Sequence, residues 1–469
     1  MIRHIKQILT GTFVVMLAAS LQLHAATFKK DELDRIALQS YIYTYPLVLM
    51  EITRKQMTNM PLGQNPNRGP MMQFTHIRTF PNAKFREVVR PNFDTLYSLA
   101  WVDVSKEPVI LSVPKVKDRF YMLPMYDMWT DTFAVVGTYA NGNDAGHFAL
   151  CMPDWKGKLP KGVKRINATT PIFWFIGRTQ TNGSKDYAYI NKIQDGYKLT
   201  PLSYFLAGKT YKPAFKKDPT VDDETPPMKQ VAKMDAKTFF TMAMELMQIH
   251  PPHAVDQVRL DRMERIGLTP KGFDYDKLSP EVKSALERAV AKSHKVMGAY
   301  VPKIGPIVNG WQVPTKSIGV YGIDYLQRAT IAMYGLGANP YYWAFYPLNV
   351  TDKNGKVPMG DKKYVIHFDK GQLPPVDAFW SVTIYDKDGF PIDNPIDRYA
   401  LGDRDNMKFN KDGSLDIYIQ AKAPSKDKQS NWLPSNGKKE VVSLVLRMYG
   451  PKQVAIDGKW QPPYVEEVQ

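Results

Sequence analysis

A single cysteine, Cys151, occurs in 469 residues. That scarcity excludes a disulfide framework, so stability must come from the size of the core. Long apolar runs are missing too: beyond the N-terminal segment, no stretch reaches the roughly 18 apolar residues that a membrane span needs. No G-x-S-x-G, P-loop, zincin or C-x-x-C pattern is present, which removes the usual starting points for a serine hydrolase, an NTPase, a metalloprotease or a disulfide-exchange enzyme. Nothing calls for a cofactor or a metal. His76 has no H-x-H or H-E-x-x-H partner, and His250-Pro251-Pro252-His253 offers two ligands without a third. Gly335 and Gly337 follow a helix rather than a strand, so they make no dinucleotide fingerprint. Acidic charge is also short: 62 Lys and Arg stand against 46 Asp and Glu, a formal net charge of +16.

What is present begins with an export signal over residues 1–25. Arg3 and Lys6 form its basic start, Ile8 to Ala19 its apolar core, and Leu23-His24-Ala25-Ala26 a small-residue cleavage site. A retained anchor is the competing reading. Cleavage leaves 60 basic against 46 acidic residues, or +14, and no transmembrane anchor. The expected location is the periplasm or the secreted fraction. The charge favours anionic partners, among them envelope polysaccharide, phospholipid headgroups and acidic small molecules. No nucleic acid is expected, because the lysines are dispersed and no zinc-finger or helix-turn-helix signature appears.

With 44% hydrophobic residues in 53.5 kDa, the chain can bury at least two cores. Residues 26–73 read as a helical region in which Pro46 either kinks the helix or opens a second one. Residues 74–183 carry short alternating runs such as Val109-Ile110-Leu111-Ser112-Val113 and Phe173-Trp174-Phe175-Ile176, separated by Pro, Asn and Gly turns. That spacing predicts an antiparallel sandwich or barrel. Residues 184–340 read as a helical linker. Phe239, Phe240, Met242, Ala243, Leu246 and Met247 band one helix, while Ser279 caps another with Pro280 at its first position. Residues 341–469 alternate again through Tyr364–Phe368, Ala378–Tyr385, Leu415–Gln420 and Val441–Tyr449, with Asp-Gly turns between them.

The polar turn Arg90-Pro91-Asn92-Phe93-Asp94 is the first candidate recognition element. Pro91 holds Arg90 extended, Asn92 and Asp94 can bond nearby backbone donors, and Arg90 is a forked donor for a carboxylate or phosphate. The expected partner of Arg90 is Asp94, or else Asp127 or Asp131 from a neighbouring strand. Aromatic residues beside polar turns suit the apolar faces of sugars. The candidate binding set is therefore Arg90, Asn92, Asp94, Tyr97, Tyr126, Trp129, Trp380, Arg398 and Trp432. Paired carboxylates can divide acid and base roles, so Asp94, Asp127 and Asp131 are weak catalytic candidates, with Tyr121 or Tyr385 as a proton donor.

Two long blocks carry a family resemblance: Arg90-Pro91-Asn92-Phe93-Asp94-Thr95-Leu96-Tyr97-Ser98, and the run from Leu373-Pro374-Pro375 through Asp377-Ala378-Phe379-Trp380-Ser381-Val382-Thr383-Ile384-Tyr385. Asn394-Pro395-Ile396-Asp397-Arg398-Tyr399, Asp412-Gly413-Ser414-Leu415 and Asn431-Trp432-Leu433-Pro434 follow in order. Together they resemble bacterial envelope proteins that join the domains of unknown function 1254 and 1214. The resemblance implies a mainly β fold with helical insertions, two jelly-roll-like antiparallel β-sandwiches joined by helices. It transfers no catalytic residues. Three functions stay open at this point: binding of a carbohydrate or an anionic small molecule, hydrolysis or elimination by paired carboxylates, and assembly into a symmetric homo-oligomer.

Overall fold

Period-two alternation sorts the side chains of the first β region onto two faces. The computed structural model, which describes residues 28–86 and 88–469, shows what each face meets. The expected export segment lies outside the described residues.

The first region contains β1 (Thr75–His76), β2 (Thr95–Asp103), β3 (Val109–Val113), β4 (Tyr121–Asp127), β5 (Thr132–Gly137), β6 (Gly146–Cys151), β7 (Lys164–Asn167), β8 (Ile172–Gln180) and β9 (Lys198–Pro201). They form two sheets, ordered β1-β2-β8-β4-β5 and β7-β6-β3-β9, in which all pairs but β6–β7 are antiparallel. Leu96, Ala100, Leu123, Met125, Phe173 and Phe175 of one sheet close on Val109, Leu111, Phe148, Leu150 and Leu199 of the other. Strand β9 completes this sandwich from beyond residue 183, inside the stretch expected to be helical linker.

The opposite face of the first sheet is equally apolar at one end, and helices cover it. Leu99, Trp101, Trp174 and Ile176 pack into one core with the long helix α1 (Lys30–Thr58) and with α2 (Ala236–Ile249), α3 (Gln257–Glu264), α4 (Pro280–Tyr300) and α5 (Tyr325–Gly335). Helix α1 is buried continuously from Ser40 to Thr53, as expected of a helix surrounded on all sides. Pro46 sits inside it, so the two alternatives at that proline resolve to a single helix. The expected cap forms at Ser279, which accepts from Val282 N with Pro280 at the first turn, and Asp235 caps α2 by accepting from Thr238 N. No helix among the described residues is long and apolar enough to cross a membrane.

The second sandwich repeats the plan. Strands β10 (Ile307–Val308), β11 (Trp311–Gln312), β12 (Ala344–Phe345), β13 (Leu348–Asn349), β15 (Val376–Tyr385), β16 (Ala400–Gly402) and β19 (Ser443–Pro451) form one sheet. The other contains β14 (Lys363–Phe368), β17 (Leu415–Gln420), β18 (Trp432–Pro434) and β20 (Val465–Val468). Trp380, Val382, Ile384, Leu444 and Leu446 meet Ile366, Phe368, Ile417 and Ile419 in its core. Strands β10 and β11 enter this sheet from before residue 341. The whole is mainly β with helical insertions, in jelly-roll-like sandwiches whose neighbouring strands come from distant parts of the chain.

The outer faces of β2, β8 and β4 lie against the outer faces of β15 and β19. Phe120 and Met122 pack on Trp343, Phe379 and Tyr449, while Phe93 packs on Tyr385, Tyr399 and Val445. The two sandwiches therefore share a wall, and that wall positions the candidate site.

Candidate functional site

The site is built from the turn before β2. Asn92 Oδ1 accepts from Asp94 N at 2.9 Å, Thr95 N at 2.7 Å and Thr95 Oγ1 at 3.1 Å. This Asx-type turn satisfies the local backbone and turns the Asp94 carboxylate away from its own loop. Arg90 is not extended as the following proline suggests but adopts a positive φ of 51°, held there by its amide, which donates to Gly389 O at 2.7 Å. The second sandwich then grips the main chain: Arg447 Nη2 donates to Arg90 O at 2.8 Å and Tyr385 Oη donates to Pro91 O at 2.6 Å.

Asp94 is fully buried and faces across the wall. Its Oδ2 accepts from Ser381 Oγ at 2.9 Å. Its Oδ1 pairs with Arg404 Nη2, and Arg404 Nη1 also bonds Asp94 O at 3.3 Å and Thr181 O at 3.1 Å. The Arg404 guanidinium lies over the Phe379 ring, 4.4 Å from its centroid. The expected Arg90–Asp94 pair does not form. The carboxylate partner comes from 310 residues downstream, and the Arg90 side chain is exposed with no ion pair among the described residues.

Asp94, Ser381 and Arg404 line a cleft of about 850 Å³ between the sandwiches. Its aromatic wall is Phe80, Phe93, Tyr187 and Tyr399. Phe93 stacks on Tyr399 with ring centroids 4.8 Å apart, and Tyr187 Oη accepts from Phe80 N at 2.9 Å. Tyr399 Oη donates to Asp397 Oδ1 at 2.9 Å and accepts from Ala83 N at 3.1 Å. Burial pushes its phenol up to about 12, so it is neutral at physiological pH. Burial likewise raises the Asp405 carboxyl above the usual carboxylate range. The charged lining is balanced, with Lys84, Arg86, Arg398 and Arg404 against Asp94, Asp393, Asp397 and Asp405.

Of the sequence-derived candidates, Asp94 and Arg398 line this cleft, while Asn92 and Tyr385 support its floor from behind. Arg398 Nη1 is partly committed to Gln429 O and Trp432 O, each at 2.8 Å. Trp380 and Trp432 do not reach the cleft. Trp380 shares its parity with Val382 and Ile384 and sits in the second core, and buried Trp432 donates Nε1 to Gln420 O. Tyr121 faces the first core and bonds Gly142 O. Tyr97 and Tyr126 lie on the outer face of the first sheet. Ser381 and Arg404 were not singled out, while Tyr399 counts among the aromatic residues beside polar turns. Ser381 and Tyr399 stand within the blocks that carry the resemblance, but Arg404 has no local signal beyond Asp403-Arg404-Asp405.

Asp127, Asp131 and Trp129 belong to a separate buried cluster at the helical end of the wall. His253 Nε2 lies 2.7 Å from Asp127 Oδ2, and its Nδ1 lies 3.5 Å from Asp131 Oδ2. Burial alone would keep this imidazole neutral, but the hydrogen bond and charge of Asp127 outweigh it and raise its pKa. Burial, then the Asp127 charge, pushes the Asp131 carboxyl up. Arg328 is fully buried, 3.6 Å from Asp131, with the rings of Tyr43, Trp129 and Tyr325 within 5.5 Å of its guanidinium carbon. Asp256 accepts from Tyr43 Oη and Tyr325 Oη, both at 2.9 Å. Among the described residues, no group of three or more His, Cys, Asp and Glu is arranged to hold a metal ion.

Residues 71–201 match the family described as protein of unknown function (DUF1254), and residues 343–453 match protein of unknown function (DUF1214). No curated protein matches the chain. Among solved structures, the VPA0106 protein from Vibrio parahaemolyticus is 25% identical with a TM-score of 0.69, over 93% of this chain and all of that one. An uncharacterised protein from Burkholderia cenocepacia is 13% identical with a TM-score of 0.45, over 94% of this chain and 95% of that one.

Proposed function

We propose, for a chain that belongs to the proteins joining a DUF1254 region to a DUF1214 region, that the cleft between its sandwiches binds a small polyhydroxylated ligand of the carbohydrate class. The observation that carries this reading is the lining: four aromatic residues on one wall, with four cations and four carboxylates around them, in about 850 Å³. Aromatic faces take the C–H face of a sugar, and mixed donors and acceptors take its hydroxyls. A balanced charge set suits a neutral polyol better than a strong ion of either sign.

For the carboxylates singled out in the sequence, binding is favoured over hydrolysis by where they stand. Asp127 and Asp131 are occupied by His253 and Arg328 away from the cleft, and Tyr121 is in the first core. Asp94 reaches the cleft but is held on both oxygens. The basic start and apolar core of residues 1–25 support an exported protein working outside the cytoplasm, which N-terminal sequencing of the native protein checks.

Calorimetric titration of the purified protein with a panel of neutral mono- and oligosaccharides tests the binding reading. At least one member should bind saturably. Asp393→Ala and Lys84→Ala, both at the cleft rim, should each weaken that binding several-fold while leaving the melting temperature unchanged. Silence across the panel, or unaltered affinity in both variants, defeats the reading.

A further inference from the structure

Behind the floor of the cleft, the register of the two facing sheets brings two arginines to the shared wall. Tyr97 of β2 stands directly opposite Arg178 of β8. In the second sandwich, Ser381 of β15 stands opposite Arg447 of β19, and Phe379 opposite Tyr449. Arg178 and Arg447 are 7% and 5% exposed, and neither makes an ion pair among the described residues. Asp94, the acid that acts electrostatically on neighbouring Tyr385 and Tyr449, is already committed to Arg404 and Ser381.

The hydrogen bonding of both cations is incomplete. Arg178 makes its bonds through Nη1, to Ile176 O at 3.0 Å and Asn339 Oδ1 at 2.6 Å, and its Nε has no partner. Arg447 makes its bonds through Nη2, to Arg90 O at 2.8 Å and Tyr385 Oη at 2.7 Å, and its Nε has no partner either. Asn339 ties the two sides together: its Nδ2 donates to Tyr346 Oη at 2.7 Å, and the Arg447 guanidinium lies 5.0 Å from the Tyr346 ring centroid. The Arg178 guanidinium lies 5.2 Å from the Tyr97 centroid. Tyr97, Tyr346 and Tyr449 all act on both arginines, so the two cations face one set of phenols. Tyr97 and Tyr346 are only partly covered by protein.

An unpaired buried charge ordinarily sheds its cost by neutralising, and arginine cannot. One hydroxyl, one side-chain amide and two backbone carbonyls bond these guanidiniums but supply no negative charge. We propose that Arg178 and Arg447 form a site for one small oxyanion, held between the sandwiches by the donors that the two guanidiniums leave unbonded and walled by Tyr97, Tyr346 and Tyr449. A carboxylate, phosphate or sulfate has the planar or tetrahedral oxygens that such forks bond in pairs. The proposal does not rest on the carbohydrate reading of the cleft, whose lining is charge-balanced. One arginine comes from each sandwich, so the bound anion bridges them and stabilises their docking.

The test titrates purified protein with acetate, inorganic phosphate and sulfate at constant ionic strength set by chloride, following heat and melting temperature. At least one anion should bind saturably at one site and raise the melting temperature, and which one does so separates a carboxylate from a tetrahedral site. Arg178→Lys and Arg447→Lys keep the charge but lose the fork. Each should weaken binding at least tenfold, whereas Asp393→Ala at the cleft rim should not. No saturable anion, or equal responses in wild type and both lysine variants, would overturn the site and leave only the general response of a basic protein to salt.

Discussion

The two ends of the first sheet's outer face each bury arginine, and they treat it differently. At the helical end, Arg328 has Asp131 at 3.6 Å and three aromatic rings around it, while His253 bridges Asp131 and Asp127. At the other end, Arg178 and Arg447 have one hydroxyl, one amide and two backbone carbonyls, but no carboxylate. The first arrangement carries its own counter-charge, even though the Arg328 nitrogens make no hydrogen bond among the described residues; it braces α1, α5 and the β4–β5 turn. The second is complete only with an added anion. Burial is alike in the two, so the presence of an internal acid is what separates a brace from a binding site.

That contrast is broken or sharpened first by deleting one arginine from each end. Arg328→Met removes the buried cation that faces Asp131 and should cost about 3–5 kcal/mol in urea unfolding. Arg447→Met removes a charge with no partner. It should cost no more than about 2 kcal/mol in anion-free buffer, the worth of its two hydrogen bonds. Equal losses would erase the distinction.

Next in size is Asp94→Asn, which takes the charge from the buried partner of Arg404 where the cleft meets the shared wall. A loss of about 3 kcal/mol is expected, read as a lowered urea midpoint. Arg90→Ala should be close to neutral in the same assay, since the wall uses the Arg90 backbone rather than its side chain. A large loss for Arg90→Ala with none for Asp94→Asn would reverse the assignment.

The smallest effect concerns Asp403, whose Oδ1 accepts from Trp380 N at 3.2 Å. Burial raises its carboxyl from 3.8 to about 6. The folded chain thus keeps a proton that the unfolded chain releases. The contribution is full below the ordinary carboxylate value and is lost as pH climbs through about 6. Asp403→Asn should flatten this part of the melting-temperature profile between pH 4 and 6. Parallel wild-type and variant curves would remove Asp403 as the source.

Much of this fold is legible residue by residue. Ser279 with Pro280 and Asp235 with Thr238 announce helix starts, and alternation marks the strands whose parity fills the two cores. Asn92 reads as a turn residue because its chemistry is local. Parity also places Trp380 inward with Val382 and Ile384, a signal outweighed in the sequence reading by the expectation that tryptophan near a polar turn meets ligand. What sequence hides is any partner brought by docking. Asp94 names no arginine, and Arg404 sits in a loop that looks solvated. Arg178 and Arg447 do leave a trace, since each is a lone cation in an otherwise apolar strand, Ile172–Gln180 and Ser443–Pro451. Such a residue must find solvent, an acid or a ligand, and only the packing of the two sheets shows which of these is absent.

The wall between the sandwiches also bears on how the chain reaches its native state. Its hydrogen bonds join residues 287, 294, 310 and 357 positions apart: Ser381 to Asp94, Tyr385 to Pro91, Arg404 to Asp94 and Arg447 to Arg90. Contacts of such separation repay loop-closure entropy only after most of the chain between them is ordered. Docking of the sandwiches is therefore expected as the last and slowest event of refolding. During synthesis, the first sandwich must wait for the second with Phe120, Met122 and Arg178 uncovered. An early-arriving half of this kind is a client for chaperones until the strand carrying Arg447 emerges.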